Sequence, residues 1–286
     1  MTAVEQTREL PDAERALSDD KARAERAAGS RRMRRSALNI GIRIVSVAVF
    51  LALWEVFGAQ VDPILFTTPS KVFTAAVEMI GSGELWTYLW PSLKVLAIGF
   101  AIAVVFGIVI GLLLARFWVF DVAFSVYITF LYSIPSVALV PLIVLWAGYE
   151  QTAKVIILFL FAFFPIVINT YQGVKAVDPK LVEVGRAFRC NEWQLWGNIV
   201  LPASLPFIIT GLRLALGRGL IGMVLADLYT ALSGIGYLIA RTAATYRVDR
   251  MFVPIVALGI LGVTLTALLR LVEKYLAPWT AASDDN

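Results

Sequence analysis

The chain has no histidine and a single cysteine, Cys190, among its 286 residues. A disulfide within the chain is thereby excluded, and a His/Cys metal site has no ligands to draw on. Cys190 reads as a small turn residue, with a reactive thiol as the alternative. The dipeptide Gly-Lys is also missing, so there is no G-x-x-x-x-G-K-[ST] loop to cradle a nucleotide. Neither HExxH nor GxSxG occurs, and no nucleophile can find an imidazole base. Neither intrinsic catalysis nor a resident metal or cofactor is expected. Charge is scarce as well: Asp, Glu, Lys and Arg make up 16% of the chain, against about a quarter in soluble domains.

Apolar residues fill the space. They account for 59% of the sequence, with a mean hydropathy of +0.78. Several runs reach the roughly 20 residues that cross a ~30 Å hydrocarbon core. The pattern predicts an all-α integral membrane protein with six spans. They begin at Ile40, Leu93, Val119, Ala153, Pro202 and Phe252, and end near Phe57, Arg116, Trp146, Tyr171, Leu228 and Leu271. Ser133-Ile134-Pro135 and Pro141 should kink or break the third span, and Pro165 should interrupt the fourth. Pro69-Ser70 opens a short amphipathic helix with Val72, Phe73, Ala76, Val77 and Ile80 on one face, expected at the outer membrane surface. Gly99, Ala103, Gly107, Gly111 and Ala115 recur every four residues in the second span, a stripe that lets another helix backbone approach closely.

Residues 1–36 are charged, Ala-rich and almost devoid of apolar side chains, which reads as a disordered cytoplasmic arm. The arm is too long and too acidic for the start of a signal peptide. Its cluster Arg31-Arg32-Met33-Arg34-Arg35 abuts the first span and should hold the N-terminus inside, against anionic lipid headgroups. With both termini inside, nineteen of the 25 Lys and Arg fall on the cytoplasmic side or in the cytoplasmic half of a span, leaving Lys71, Lys94, Lys154, Arg241, Arg247 and Arg250 outside. The net charge of +4 is therefore set by topology and is not a nucleic-acid footprint. The outer arginines read either as a solvated loop or as an attraction for an anionic solute or acidic docking surface. The permease region is expected over residues 37–279, followed by a polar tail, 280–286.

One polar segment, Asp178 to Pro202, interrupts this apolar chain. Asp178 is a good helix N-cap and Pro179 fits the first helical position. Leu181, Val182, Val184 and Phe188 recur at helical spacing. Asn191 followed by Gln194 is a capping-box restart leading into Trp193, Leu195 and Trp196. Two short helices meeting at a corner are predicted.

This segment resembles the EAA loop of ABC-importer permeases: Glu-Ala-Ala, three residues, Gly, nine residues, Ile-x-Leu-Pro. Glu183 stands at the Glu, Val184 and Gly185 at the alanines, and Ile199, Leu201 and Pro202 at the end. The Gly position holds Arg189, which should strain or reshape the turn. Thr68-Pro69-Ser70, the Ser133–Pro135 break, Gly211-Leu212-Arg213-Leu214-Ala215, Ser233 to Ile239 and Ala277-Pro278-Trp279 extend the resemblance to the nitrate, sulfonate and taurine type of permease. That resemblance implies a type I importer fold in the inner membrane and a homodimer around a solute path. It also implies a solute-binding protein outside and separate ATPase subunits that bind the ATP. Glu183, Arg186 and Arg189 would make polar contacts to the ATPase, with Phe188, Trp193 and Leu195 filling its groove.

Asp227 is the notable carboxylate inside a span, where an unpaired charge is costly. Arg213 and Arg218 lie at the wrong spacing on the same helix to pair with it, so any partner must come from elsewhere. It serves either a helix contact or, with Ser133 and Pro135, a solute path. Two rival readings stay open at this point. A secondary transporter would call for internal repeats and more buried charges; a membrane scaffold would need no solute path.

Overall fold

The computed structural model describes residues 38–277, so the expectations for the arm, the tail and Pro278-Trp279 lie outside the described residues. The chain divides into two units, the first ending at Asp62. Of the first unit, α1 (Leu38–Gly58) is described, and none of its apolar window is buried. Such a helix needs an apolar surrounding, which a bilayer supplies.

The second unit contains α2 (Pro69–Gly81), α3 (Glu84–Arg116), α4 (Trp118–Ser133), α5 (Ser136–Ala147) and α6 (Gln151–Lys175). These lead to α7 (Pro179–Ala187), α8 (Glu192–Leu195), a π turn (Trp196–Val200), α9 (Leu201–Thr230), α10 (Ile235–Ala244) and α11 (Val248–Leu276). Among the described residues, five helices are long and apolar enough to cross a membrane. The pair α4 and α5, bent by 96° at Ile134-Pro135, makes a sixth span if taken together. The expected break is there, but Pro141 and Pro165 lie inside unbroken helices. Helices packed on their neighbours tolerate a proline that an isolated helix would not. The expected fifth span begins earlier, because Glu192–Thr230 is one continuous helical path.

The glycine stripe determines how α3 meets α6. Gly99 faces Leu158, Gly107 faces Ile166 and Gly111 faces Thr170, so the two helices run parallel. A Cβ at Gly107 would stand 2.8 Å from Ile166, closer than packed carbons approach. Ala103 is fully buried on the same seam, and Ala115 is half-buried at its end. The stripe thus packs within the chain. Gly222 faces Phe161 and Gly211 faces Asn169, so α9 runs antiparallel to α6. The segment 178–198 therefore sits at one end of the bundle and the α9–α10 connection at the other, called the distal end below.

At the distal end α2 buries Val72, Ala75 and Met79, while Phe73, Val77 and Ile80 are exposed. Met79 and Ala75 fill the contact with the bundle, and the larger apolar residues of the face expected at the membrane surface are left outward. Arg250 of α11 pairs with Glu78 at 3.1 Å and Glu84 at 3.2 Å, tying α11 to α2 and α3. The stretch between the expected fifth and sixth spans, which carries the outer arginines, contains α10. Arg241 on it donates to the Tyr88 hydroxyl, and Arg247 pairs with Asp249. Arg250 and Arg247 thus meet carboxylates within the chain, whereas Arg241 meets a phenol.

Candidate functional site

The segment 178–198 builds its own helices from local caps. Asp178 Oδ1 accepts the amide of Lys180 at 2.9 Å, opening α7. Asn191 and Gln194 form a reciprocal capping box that opens α8. Between them the chain turns at Arg189, with φ +55°. The Cys190 amide donates to Gly185 O and the Arg189 amide to Arg186 O, the bond pattern of a helix ending on a left-handed residue. The turn is kept rather than reshaped, and Arg189 adopts a conformation that costs a non-glycine residue about 1 kcal/mol.

Gly185 is buried where α7 crosses the following helix. A Cβ there would meet Ile199 Cδ1 at 2.7 Å and Leu195 Cδ1 at 2.8 Å. Leu195 is therefore not offered to a partner, as its sequence position suggested: it is buried under α7. Glu183, Arg186 and Arg189 are exposed, and Phe188 and Trp193 are 81% and 88% exposed. Ile199 and Pro202 are half-buried and Leu201 is partly exposed, where the π turn joins α9. The wider turn before Pro202 accommodates a ring that would crowd the Asn198 carbonyl in regular α geometry.

Sequence reasoning missed the fastening of this segment to the bundle. Glu192 pairs with Arg116 at the end of α3 at 2.7 Å, and the Arg116 guanidinium lies over the Trp196 ring at 5.0 Å. Asp121, at the start of α4, accepts the Tyr171 hydroxyl and pairs with Lys175 at 3.2 Å.

At the distal end, Asp227 is fully buried, three residues before α9 ends. Lys154 Nζ donates to its Oδ1 at 2.7 Å and to the Ser233 carbonyl at 2.6 Å. Asp227 Oδ2 accepts the Ser92 hydroxyl, and the Ile235 amide donates to Ser92 Oγ at 2.8 Å. A weaker bond runs from the Gly236 amide to Oδ2. The carboxylate thus caps the N-terminus of α10, where the helix dipole favours negative charge. Gly234 permits this approach: its φ is +103°, and a Cβ would overlap the carboxyl group. Of the two roles open for Asp227, the geometry is that of a helix contact, with no surface left to line a path. Lys154, which reads as an outer-surface lysine, is its partner from another helix.

Ser133 and Pro135 are exposed at the α4–α5 break, but the Ser133 hydroxyl donates to Thr129 O. Near the same break sits a residue with no predicted role in transport. Arg218 is exposed on α9, donates from Nη2 to the Tyr132 hydroxyl at 2.9 Å and lies over the Tyr132 ring. It lies twelve residues before Thr230, hence about 18 Å below the distal end of α9 and near mid-depth. Arg213, by contrast, pairs with Glu273 of α11 at 2.7 Å. A centrally placed arginine facing lipid costs about 2.5–3.5 kcal/mol on insertion scales.

Comparison with known proteins gives this geometry a context. The family described as "Binding-protein-dependent transport system inner membrane component" matches residues 103–282. An aliphatic sulfonates transport permease, SsuC of Bacillus subtilis, is 33% identical over 81% of this chain and 85% of its own length. The formylaminopyrimidine transport permease ThiX of Halalkalibacterium halodurans is 32% identical over 81% and 92%. The taurine transport system permease TauC of Escherichia coli is 27% identical over 84% and 90%. Among solved structures, an amino acid ABC transporter aligns with TM-score 0.56 at 18% identity, over 70% of this chain and 97% of the other. The inward-facing MetNI methionine ABC transporter aligns with TM-score 0.52 at 18% identity, over 66% and 94%. These structures share the fold, that of type I importer permeases. The chain belongs to the inner-membrane components of binding-protein-dependent transport systems, and is a multi-pass permease of an ABC importer.

Proposed function

We propose that two copies of this chain enclose the path of an importer for a small sulfonate-like anion, and that the segment 178–198 is gripped by separate ATPase subunits on the cytoplasmic side. One observation carries the docking assignment. Phe188 and Trp193 project, 81% and 88% exposed, from two locally capped helices pinned to α3 through Arg116. Large aromatics on a rigid base are what a groove on a partner recognises, with rim charges such as Glu183, Arg186 and Arg189 setting register. ATP is bound by the partner, and closure of the ATPases moves the segment as a unit, shifting α3 and α9 with it. Both termini then lie in the cytoplasm, and the distal end meets the binding protein. The sulfonate and taurine named for two relatives support the solute class.

The test is uptake of labelled ethanesulfonate by proteoliposomes holding the permease with its ATPase and binding protein. Uptake should require internal ATP and the external binding protein, and Glu183→Lys should abolish it by reversing a charge at a small interface. Uptake driven by an ion gradient without ATP would reject the reading. Normal ATPase co-purification and coupled transport in Glu183→Lys would reject the docking surface alone.

A further inference from the structure

We infer that Arg218, with Tyr132, forms an anion-binding station halfway along the solute path. The inference rests on the importer reading above and adds to it a residue that contacts the solute. Four basic side chains lie on the packed spanning helices α6 and α9 and reach a partner, and one of them, Lys175 at the end of α6, pairs with Asp121. Lys154 is neutralised by Asp227 and Arg213 by Glu273. Arg218 meets a phenol and no carboxylate among the described residues. A guanidinium stays charged at any physiological pH and carries five donors in a planar fork. One of these is spent on Tyr132, and the rest point to a face with no other hydrogen-bond partner among the described residues.

The position of this face narrows what can complete it. Thr210, Leu214, Gly217, Arg218 and Ile221 are exposed along α9, although α9 packs on helices to several sides. A Cβ at Gly217 would meet nothing within 4 Å, so this face of α9 is open beside Arg218 along the chain. Mid-depth placement disfavours lipid, since the side chain can reach neither interface. In a two-fold pair of chains the path would carry Arg218 twice, and like charges facing each other need an anion between them. An oxyanion such as a sulfonate matches the fork with two parallel N–H bonds. Tyr132 keeps its own O–H free to donate to the same oxygen group, because it accepts from Arg218. The site also separates the chemistries of the relatives, since a sulfonate carries the charge that a formylaminopyrimidine lacks.

The experiment compares wild type, Arg218→Gln, Arg218→Lys and Tyr132→Phe in the complete reconstituted complex, with labelled ethanesulfonate and labelled formylaminopyrimidine as probes. Arg218→Gln should lower ethanesulfonate uptake about tenfold or more, while ATPase co-purification and basal ATP hydrolysis stay at wild-type level. Arg218→Lys should retain an intermediate rate, since it keeps the charge and loses the fork. Tyr132→Phe should lower uptake by a smaller factor. Equal ethanesulfonate uptake by wild type and Arg218→Gln overturns the station and leaves the importer reading standing. Uptake of formylaminopyrimidine alone by wild type overturns both the sulfonate assignment and the station. Loss of the ATPase or of the paired state in Arg218→Gln makes Arg218 an assembly contact and also overturns the proposal.

Discussion

Two ion pairs of the same length, 2.7 Å, hold the two ends of the bundle. At the distal end the side chains of Lys154 and Asp227 are 5% and 1% exposed; at the other end those of Arg116 and Glu192 are 37% and 54% exposed. The distance says nothing about their different worth. Burial removes water from Lys154 and Asp227, so each charge depends on the other and on Ser92, Ser233 and the amides of α10. Arg116 and Glu192 keep water as a competitor, and their bond is weak and screened by salt. One end is locked by charge that cannot be left alone. The other is fastened by a water-exposed pair that adds little stability yet links the segment 178–198 to α3.

The sharpest way to break this contrast is to remove one buried partner. Lys154→Met should destabilise the protein by about 3–5 kcal/mol by leaving the buried Asp227 carboxyl without its cation. Thermal unfolding in mild detergent measures it. The double variant Lys154→Met, Asp227→Leu should recover much of that loss, because two apolar side chains need no partner. A single variant as stable as wild type would show that water reaches Asp227.

A smaller effect is expected at the turn. Arg189→Gly should stabilise the corner by about 0.5–1 kcal/mol, since glycine reaches φ +55° without a Cβ penalty. The same variant should bind the ATPase more weakly if the exposed guanidinium pairs with a carboxylate there. Unfolding midpoints and ATPase affinity decide the two halves separately. An unchanged affinity would make Arg189 a tolerated surface residue.

The smallest effect on stability is expected for Glu192→Gln, at most about 1 kcal/mol and vanishing in high salt. Coupling should suffer more than the fold, with ATP hydrolysed at the wild-type rate but less solute moved. A salt-independent loss of several kcal/mol would mean that this pair is as essential as the buried one.

Much of this was legible in the sequence because it depends on neighbours along the chain. Long apolar runs without polar faces had to cross a membrane. Asp178, Pro179, Asn191 and Gln194 act on amides two or three residues away, so the capped helices of the 178–198 segment could be read directly. The turn at Arg189 was expected from the resemblance alone, whose pattern places glycine there. Tertiary structure alone decided the rest. Lys154 lies 73 residues from Asp227, and near a helix start it looks like any interfacial lysine. Leu195 looked available until α7 folded over it at Gly185. α10 is short and glycine-flanked, and its N-terminus is held by a carboxylate from α9. Which face of a helix meets protein, water or lipid, and which distant charge meets which, depends on how the helices pack. Local pattern specifies a helix and its ends but not its neighbours, and the cost of a buried charge is settled by those neighbours.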